Sequence, residues 1–131
     1  MFIYNIFTRI AGKIRLYIYN FFIPNVRIGK NTFIESGVTL RSQYGGEMTI
    51  GDYCYISRGV QILTHGGDII IGNNSTVNPY TVIYGQGGIK IGNGVRIATH
   101  CTIVPSNHIF DDLNEYIYKQ GLSKKRNSNR R

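Results

Sequence analysis

The stretch Ile50-Gly51-Asp52-Tyr53-Cys54-Tyr55-Ile56-Ser57-Arg58-Gly59-Val60-Gln61-Ile62 places aliphatic residues at 50, 56 and 62, with small residues Cys54 and Val60 four positions after the first two. A helix of 3.6 residues per turn would scatter a six-residue period around its surface. A plain strand would need alternation throughout. A triangular solenoid satisfies the pattern: each six-residue rung makes one flat side and one corner. Its first residue points into the prism, its fifth is small because the corner is narrow, and three rungs close a coil.

The same register extends in both directions. Ile28, Ile34 and Leu40 precede it; Ile71, Val77, Ile83 and then Ile91, Ile97, Ile103 follow. Each set opens with an Ile-Gly pair, at 28, 50, 71 and 91. Small residues recur at Thr32, Val38, Ser75, Thr81, Val95 and Cys101. Coils longer than eighteen residues are explained by Gly-rich excursions at Tyr44-Gly45-Gly46, His65-Gly66-Gly67 and Gln86-Gly87-Gly88, where glycine tolerates positive φ. The expected fold is all-β: a parallel β-helix of four coils.

With 131 residues the chain is one domain, and 42% hydrophobic residues with 16 Gly and 3 Pro exclude collagen-like and disordered classes. Cys54 and Cys101 are too few for a disulfide scaffold and sit on inward positions of different coils with one full coil between them, so both are expected as buried packing residues. No Cys/His cluster has metal-ligand spacing, and a reduced, metal-free, cytoplasmic protein is expected. The net charge of +8 is mostly a tail. Residues 1–118 hold nine Lys/Arg against seven Asp/Glu, whereas 119–131 hold six basic residues and no acid. Nucleic-acid binding would rest on that tail alone and is not expected. His65 and His100 are expected as surface or packing residues.

The hexapeptide register over residues 26 to about 122 resembles the hexapeptide-repeat acyltransferases, whose fold is a left-handed parallel β-helix. The rhythm stops at Pro105-Ser106-Asn107-His108-Ile109-Phe110-Asp111-Asp112, where a loop leaves the prism. Polar residues on a rigid scaffold's loop are candidates for function. The Ser-Asn-His-x-Phe-x-Asp match is similar to the sugar O-acetyltransferases of capsule and lipopolysaccharide synthesis.

That resemblance implies His108 as the general base that deprotonates a sugar or polysaccharide hydroxyl attacking acetyl-CoA. An imidazole titrates near neutrality, as this role requires. Asn107 or Asn78 could donate to the oxyanion, and Asp111 or Asp112 could orient the imidazole. Asn78 lies thirty residues before His108, as does the acceptor-site asparagine of galactoside and maltose acetyltransferases. It could equally be an ordinary corner asparagine. The family assembles as homotrimers.

The organisation expected from the sequence is an N-terminal amphipathic helical cap at 1–23, the β-helix at 24–104, an active-site loop segment at 105–122 and a basic tail at 123–131. In the first block Phe2, Ile3, Ile6, Phe7, Ile10, Ile14, Tyr17, Ile18, Phe21 and Phe22 fall near helical spacing, beside Arg9, Lys13 and Arg15. Its two readings are a cap over the open first coil and contact with the inner face of a membrane. It is too polar to span one and lacks a signal-peptide cleavage site.

Family members resume hexapeptides after a segment like Gln120-Gly121-Leu122-Ser123, and those later coils supply much of the coenzyme A cleft and the trimer contact. Arg126-Asn127-Ser128-Asn129-Arg130-Arg131, read one base later from AT-rich codons, becomes Gly-Ile-Val-Ile-Glu, so a frame change near Lys124-Lys125 is expected over a plain basic tail. On that expectation the chain is a weakly active, aggregation-prone truncated enzyme, and the competing class is a non-catalytic β-helical binding module.

Overall fold

The computed structural model describes residues 2–42 and 44–124. Helix α1 (Phe2–Phe22) is followed by four coils of three short strands each. These are β1 (Val26–Ile28), β2 (Phe33–Ile34) and β3 (Thr39–Arg41); β4 (Met48–Ile50), β5 (Tyr55–Ile56) and β6 (Gln61–Leu63); β7 (Ile69–Ile71), β8 (Thr76–Val77) and β9 (Val82–Tyr84); and β10 (Ile89–Ile91), β11 (Arg96–Ile97) and β12 (Thr102–Ile103). Corresponding strands stack in parallel into three four-stranded sheets, β1-β4-β7-β10, β2-β5-β8-β11 and β3-β6-β9-β12. The pairing is in hexapeptide register: Ile28 lies on Ile50 and Ile50 on Ile71, Ile34 on Ile56 and Ile56 on Val77, Leu40 on Ile62 and Ile62 on Ile83. The expected β-solenoid is the observed one.

Ten of the twelve repeat aliphatics are buried, while Ile91 and Ile103 in the fourth coil are half-buried. The strands add inward residues that a six-residue count does not include. Val26, Met48 and Ile69, two positions before each isoleucine, are also buried because side chains alternate along a strand. The small fifth positions do more than fit the corner. Thr32 Oγ1 donates to the Gly51 carbonyl (2.7 Å), Cys54 Sγ to that of Gly72 (3.1 Å) and Ser75 Oγ to that of Gly92 (3.0 Å), so each ties its corner to the next coil. Outside, a ladder of acceptors does the same: Asp52 Oδ1 takes the Lys30 N–H, Asn73 Oδ1 the Asp52 N–H and Asn93 Oδ1 the Asn73 N–H.

The Gly-rich excursions adopt the expected backbone, with Gly45, Gly66, Gly87 and Gly88 at φ of +83° to +89°. Both cysteines are free, Cys54 buried and Cys101 half-buried. His65 packs between Tyr44 and Tyr84, and exposed His100 stacks on Tyr80 at 5.3 Å.

Helix α1 closes the first coil by replacing the hydrogen bonds a preceding coil would have made. The Asn20 amide donates to the Ile28 carbonyl (3.0 Å) and accepts the Ile28 N–H (2.7 Å). Arg15 donates to the Ile34 carbonyl (3.1 Å), and the Tyr19 hydroxyl to that of Val38 (2.7 Å). These edge groups would otherwise be unpaired over an apolar end. Burial of Tyr19 raises its hydroxyl pKa above the ordinary value, against the opposing pull of Arg15. Leu16 is buried with the core, and Gly12 lets the helix approach so closely that a Cβ there would clash with the edge of the Phe33 ring.

The capping face is therefore Gly12, Arg15, Leu16, Tyr19 and Asn20. Most of the apolar stripe that the sequence suggests for contact faces outward instead. Phe7, Ile10, Ile14, Tyr17, Ile18, Phe21 and Phe22 are all exposed.

Candidate active site

The chain leaves the prism after β12. Strand β13 (Ser106–His108) pairs antiparallel with β14 (Leu122–Lys124), setting Asn107 opposite Ser123 and His108 opposite Leu122. The departure is anchored at its base: buried Ser106 donates its hydroxyl to Gln86 Oε1 (2.9 Å), one coil earlier, at the third Gly-rich excursion. The Ile109 N–H to Gly121 carbonyl bond (3.0 Å) continues the hairpin. His108 is exposed, and its imidazole makes no hydrogen bond, ion pair or ring contact with another described residue. The ring nitrogen that carries no proton is open to a substrate hydroxyl, which a general base requires.

Among the described residues none of the other sequence candidates holds the His108 imidazole, so the expected orientation by Asp111 or Asp112 is not seen in the single chain. Asn107 is exposed beside His108, and its carbonyl accepts the Ser123 hydroxyl (3.3 Å). Asp111 and Asp112 are exposed in the loop that closes the hairpin. The Asp112 carboxylate accepts the Asn114 N–H (2.9 Å) in a local turn.

Asn78 lies elsewhere, at the corner between β8 and β9, whereas His108 follows the far end of the β12 layer. A single chain therefore places them at different corners. The Asn78 amide donates to the Ile97 carbonyl (2.7 Å), joining the third and fourth coils and leaving its second N–H and its oxygen outside that bond.

Gln120 is the residue that sequence reading passed over. Its Oε1 accepts the Asp112 N–H (3.1 Å), while its Nε2 donates to the carbonyls of Asp112 (2.8 Å) and Glu115 (2.9 Å). It folds the loop back on itself. Its place in the Gln-Gly-Leu-Ser segment was the available clue. Beyond it, Tyr116 and Tyr118 stack at 5.8 Å around a short 3-10 turn (Ile117–Lys119), with the Lys119 ammonium 5.6 Å from the Tyr116 ring centre. Phe110, Leu113, Tyr116 and Tyr118 are all exposed on this loop.

Among the described residues no group of three or more His, Cys, Asp or Glu could hold a metal ion. No described helix is long and apolar enough to cross a membrane. The basic tail beyond Lys124 and the expected frame change at Arg126–Arg131 lie outside the described residues.

Comparison with known proteins returns curated relatives that share one name, bifunctional protein GlmU of Listeria monocytogenes. Two strains of serotype 4b match with 32% identity and one of serotype 4a with 30%, each over 89 residues. The matched region is 68% of this chain, and the chain spans 17% of the relatives' length. No family model matches, and no solved structure matches.

Proposed function

Because the chain belongs to the hexapeptide-repeat, left-handed β-helix acyltransferase family, we propose that it takes part in acetyl transfer from acetyl-CoA to a hydroxyl of a sugar or surface-polysaccharide precursor, with His108 as general base. The observation that carries this reading is the exposed imidazole, without a partner among the described residues, on a hairpin anchored to the solenoid by Ser106 and Gln86. A sugar hydroxyl is a weak nucleophile at neutral pH. In the proposed step His108 takes its proton as the oxygen bonds to the acetyl carbonyl carbon. Asn107 or Asn78 donates to the oxyanion that forms. When the carbon–sulfur bond breaks, His108 returns the proton to the departing thiolate, and the products are an acetyl ester and coenzyme A.

Tyr116 and Tyr118 offer ring faces on the same loop on which an acceptor sugar can stack. A homotrimer, the family's assembly, would allow corners that are separate within one chain to meet at a subunit boundary. That is the arrangement in which Asn78 and His108 would serve one site. The proposed setting is the cytoplasm, where both substrates are available.

The test is release of coenzyme A from acetyl-CoA with and without a panel of nucleotide sugars and oligosaccharides. Acceptor-dependent release that falls at least about 100-fold in His108→Gln, with the circular dichroism spectrum kept, supports the reading. Release unaffected by that substitution removes His108 from the reaction. No acceptor-dependent release at all assigns the chain to the non-catalytic binding-module class.

A further inference from the structure

Helix α1 has two apolar faces, and the solenoid uses only one. Gly12, Leu16 and Tyr19 turn to the first coil, yet Ile6, Phe7, Ile10, Ile14, Tyr17, Ile18, Phe21 and Phe22 are 41% to 83% exposed. At 100° per residue these eight fill a sector of roughly 160°, on the side away from the cap. A helix whose only task was to cap a coil would be polar there. So large a contiguous exposed patch marks an interaction surface.

The charges around it identify what it meets. The first 34 residues carry five cations (Arg9, Lys13, Arg15, Arg27, Lys30) and no acid, whereas residues 35–118 carry four Lys/Arg against seven Asp/Glu. Within residues 1–118, apart from the basic tail, positive charge is thus concentrated at the helix end of the solenoid. At 100° per residue Lys13 borders the apolar sector beside Ile6 and Arg9 lies further toward the cap, and both, with Lys30, line one groove along the join between α1 and the first coil. An apolar, aromatic face rimmed by cations on a helix unable to span a membrane is the composition of a helix lying in a lipid interface. A second copy fits less well. Apposing two such faces would place Lys13 at the edge of the joint, with no acid in the helix to pair with it.

We propose that the outward face of α1 docks this protein onto an anionic phospholipid surface, with the helix in the plane of the interface and the solenoid standing off it. Phe7, Ile14, Ile18 and Phe21 enter the acyl boundary while Arg9, Lys13 and Lys30 contact lipid phosphates. This proposal stands apart from acyl transfer, since His108 has no part in it.

The experiment is co-sedimentation of the full chain with phosphatidylcholine vesicles with and without about a quarter phosphatidylglycerol. The expected result is binding that strengthens with the anionic lipid and weakens with salt. It should fall about tenfold or more in Phe21→Ser/Phe22→Ser, whose side chains lie largely in solvent. Arg9→Glu/Lys13→Glu should lose the preference for anionic vesicles, and His108→Gln should bind as the parent chain does. Binding unchanged by Phe21→Ser/Phe22→Ser overturns the proposal. So does absence of vesicle binding by a chain that sediments as an oligomer and that Phe21→Ser/Phe22→Ser converts to monomer, a result that would assign the face to a second copy.

Discussion

Asn20→Ala tests the cap most directly, because one side chain satisfies both edge groups of Ile28. The substitution removes an acceptor 2.7 Å from the Ile28 N–H and a donor 3.0 Å from its carbonyl. A hydrogen bond contributes a net of about 0.5–1.5 kcal/mol, so two give about 1–3 kcal/mol. Asn20 is itself exposed, so water can reach part of the vacated site, which favours the lower half of that range. Alanine's better helix propensity returns up to about 0.5 kcal/mol, less near a helix end. The balance is a loss of about 1 kcal/mol.

In a solenoid that loss is local, because each coil contacts only its neighbours. The assay is therefore amide hydrogen exchange resolved by coil. Exchange at Ile28 should accelerate about fivefold, the factor for about 1 kcal/mol, while the amides of Ile69 to Ile71 keep their parent rates. Unchanged exchange at Ile28 would refute the account of α1 as a hydrogen-bonding cap. Equal acceleration through the third coil would refute the account of the coils as independent layers.

The core makes a graded prediction. Ile62→Ala, at a fully buried position between coils on both sides, should cost about 2–5 kcal/mol, and Ile91→Ala, half-buried in the fourth coil, less than half as much, as read from denaturant midpoints. Equal losses would contradict the burial gradient. Tyr55 supplies a pH prediction: burial, together with its 2.6 Å hydrogen bond to Glu35 and that carboxylate's charge, pushes its hydroxyl up to about 12 from 10.0. A group raised in the folded state stabilises fully below its unfolded pKa and loses that contribution as pH rises through the folded value. The difference in melting temperature between the parent and Tyr55→Phe should hold steady below pH 10 and shift against the parent between 10 and about 12. A difference that stays constant across that window would show that Tyr55 titrates normally.

The solenoid was legible because its cause is local and repeated. One side chain in six meets the prism interior, and stacking places equivalent residues on each other, so Ile28, Ile50 and Ile71 declare their partners by spacing alone. The same logic marked the excursions at Gly45, Gly66 and Gly87, where the backbone requires positive φ. It marked His108 only as a residue on a loop that breaks the rhythm. The loop's shape depends on β13 pairing with a strand fourteen residues later and on Gln120 reaching Asp112, contacts that no period announces.

What the sequence by itself determined is the six-residue inward register of each coil, without the second inward residues Val26, Met48 and Ile69, together with the free and separated cysteines and the point where the prism is left. Tertiary structure alone decided the orientation of α1. A helical wheel ranks sectors by hydrophobicity, but the end of a parallel β-helix presents unpaired N–H and C=O groups around an apolar centre. The sector that packs there is the one combining Asn20, Arg15 and Tyr19 as hydrogen-bonding groups with Gly12 for close approach. Edge polarity outweighs the greater hydrophobicity of the opposite face, because an unpaired buried amide costs more than an isoleucine left partly in solvent.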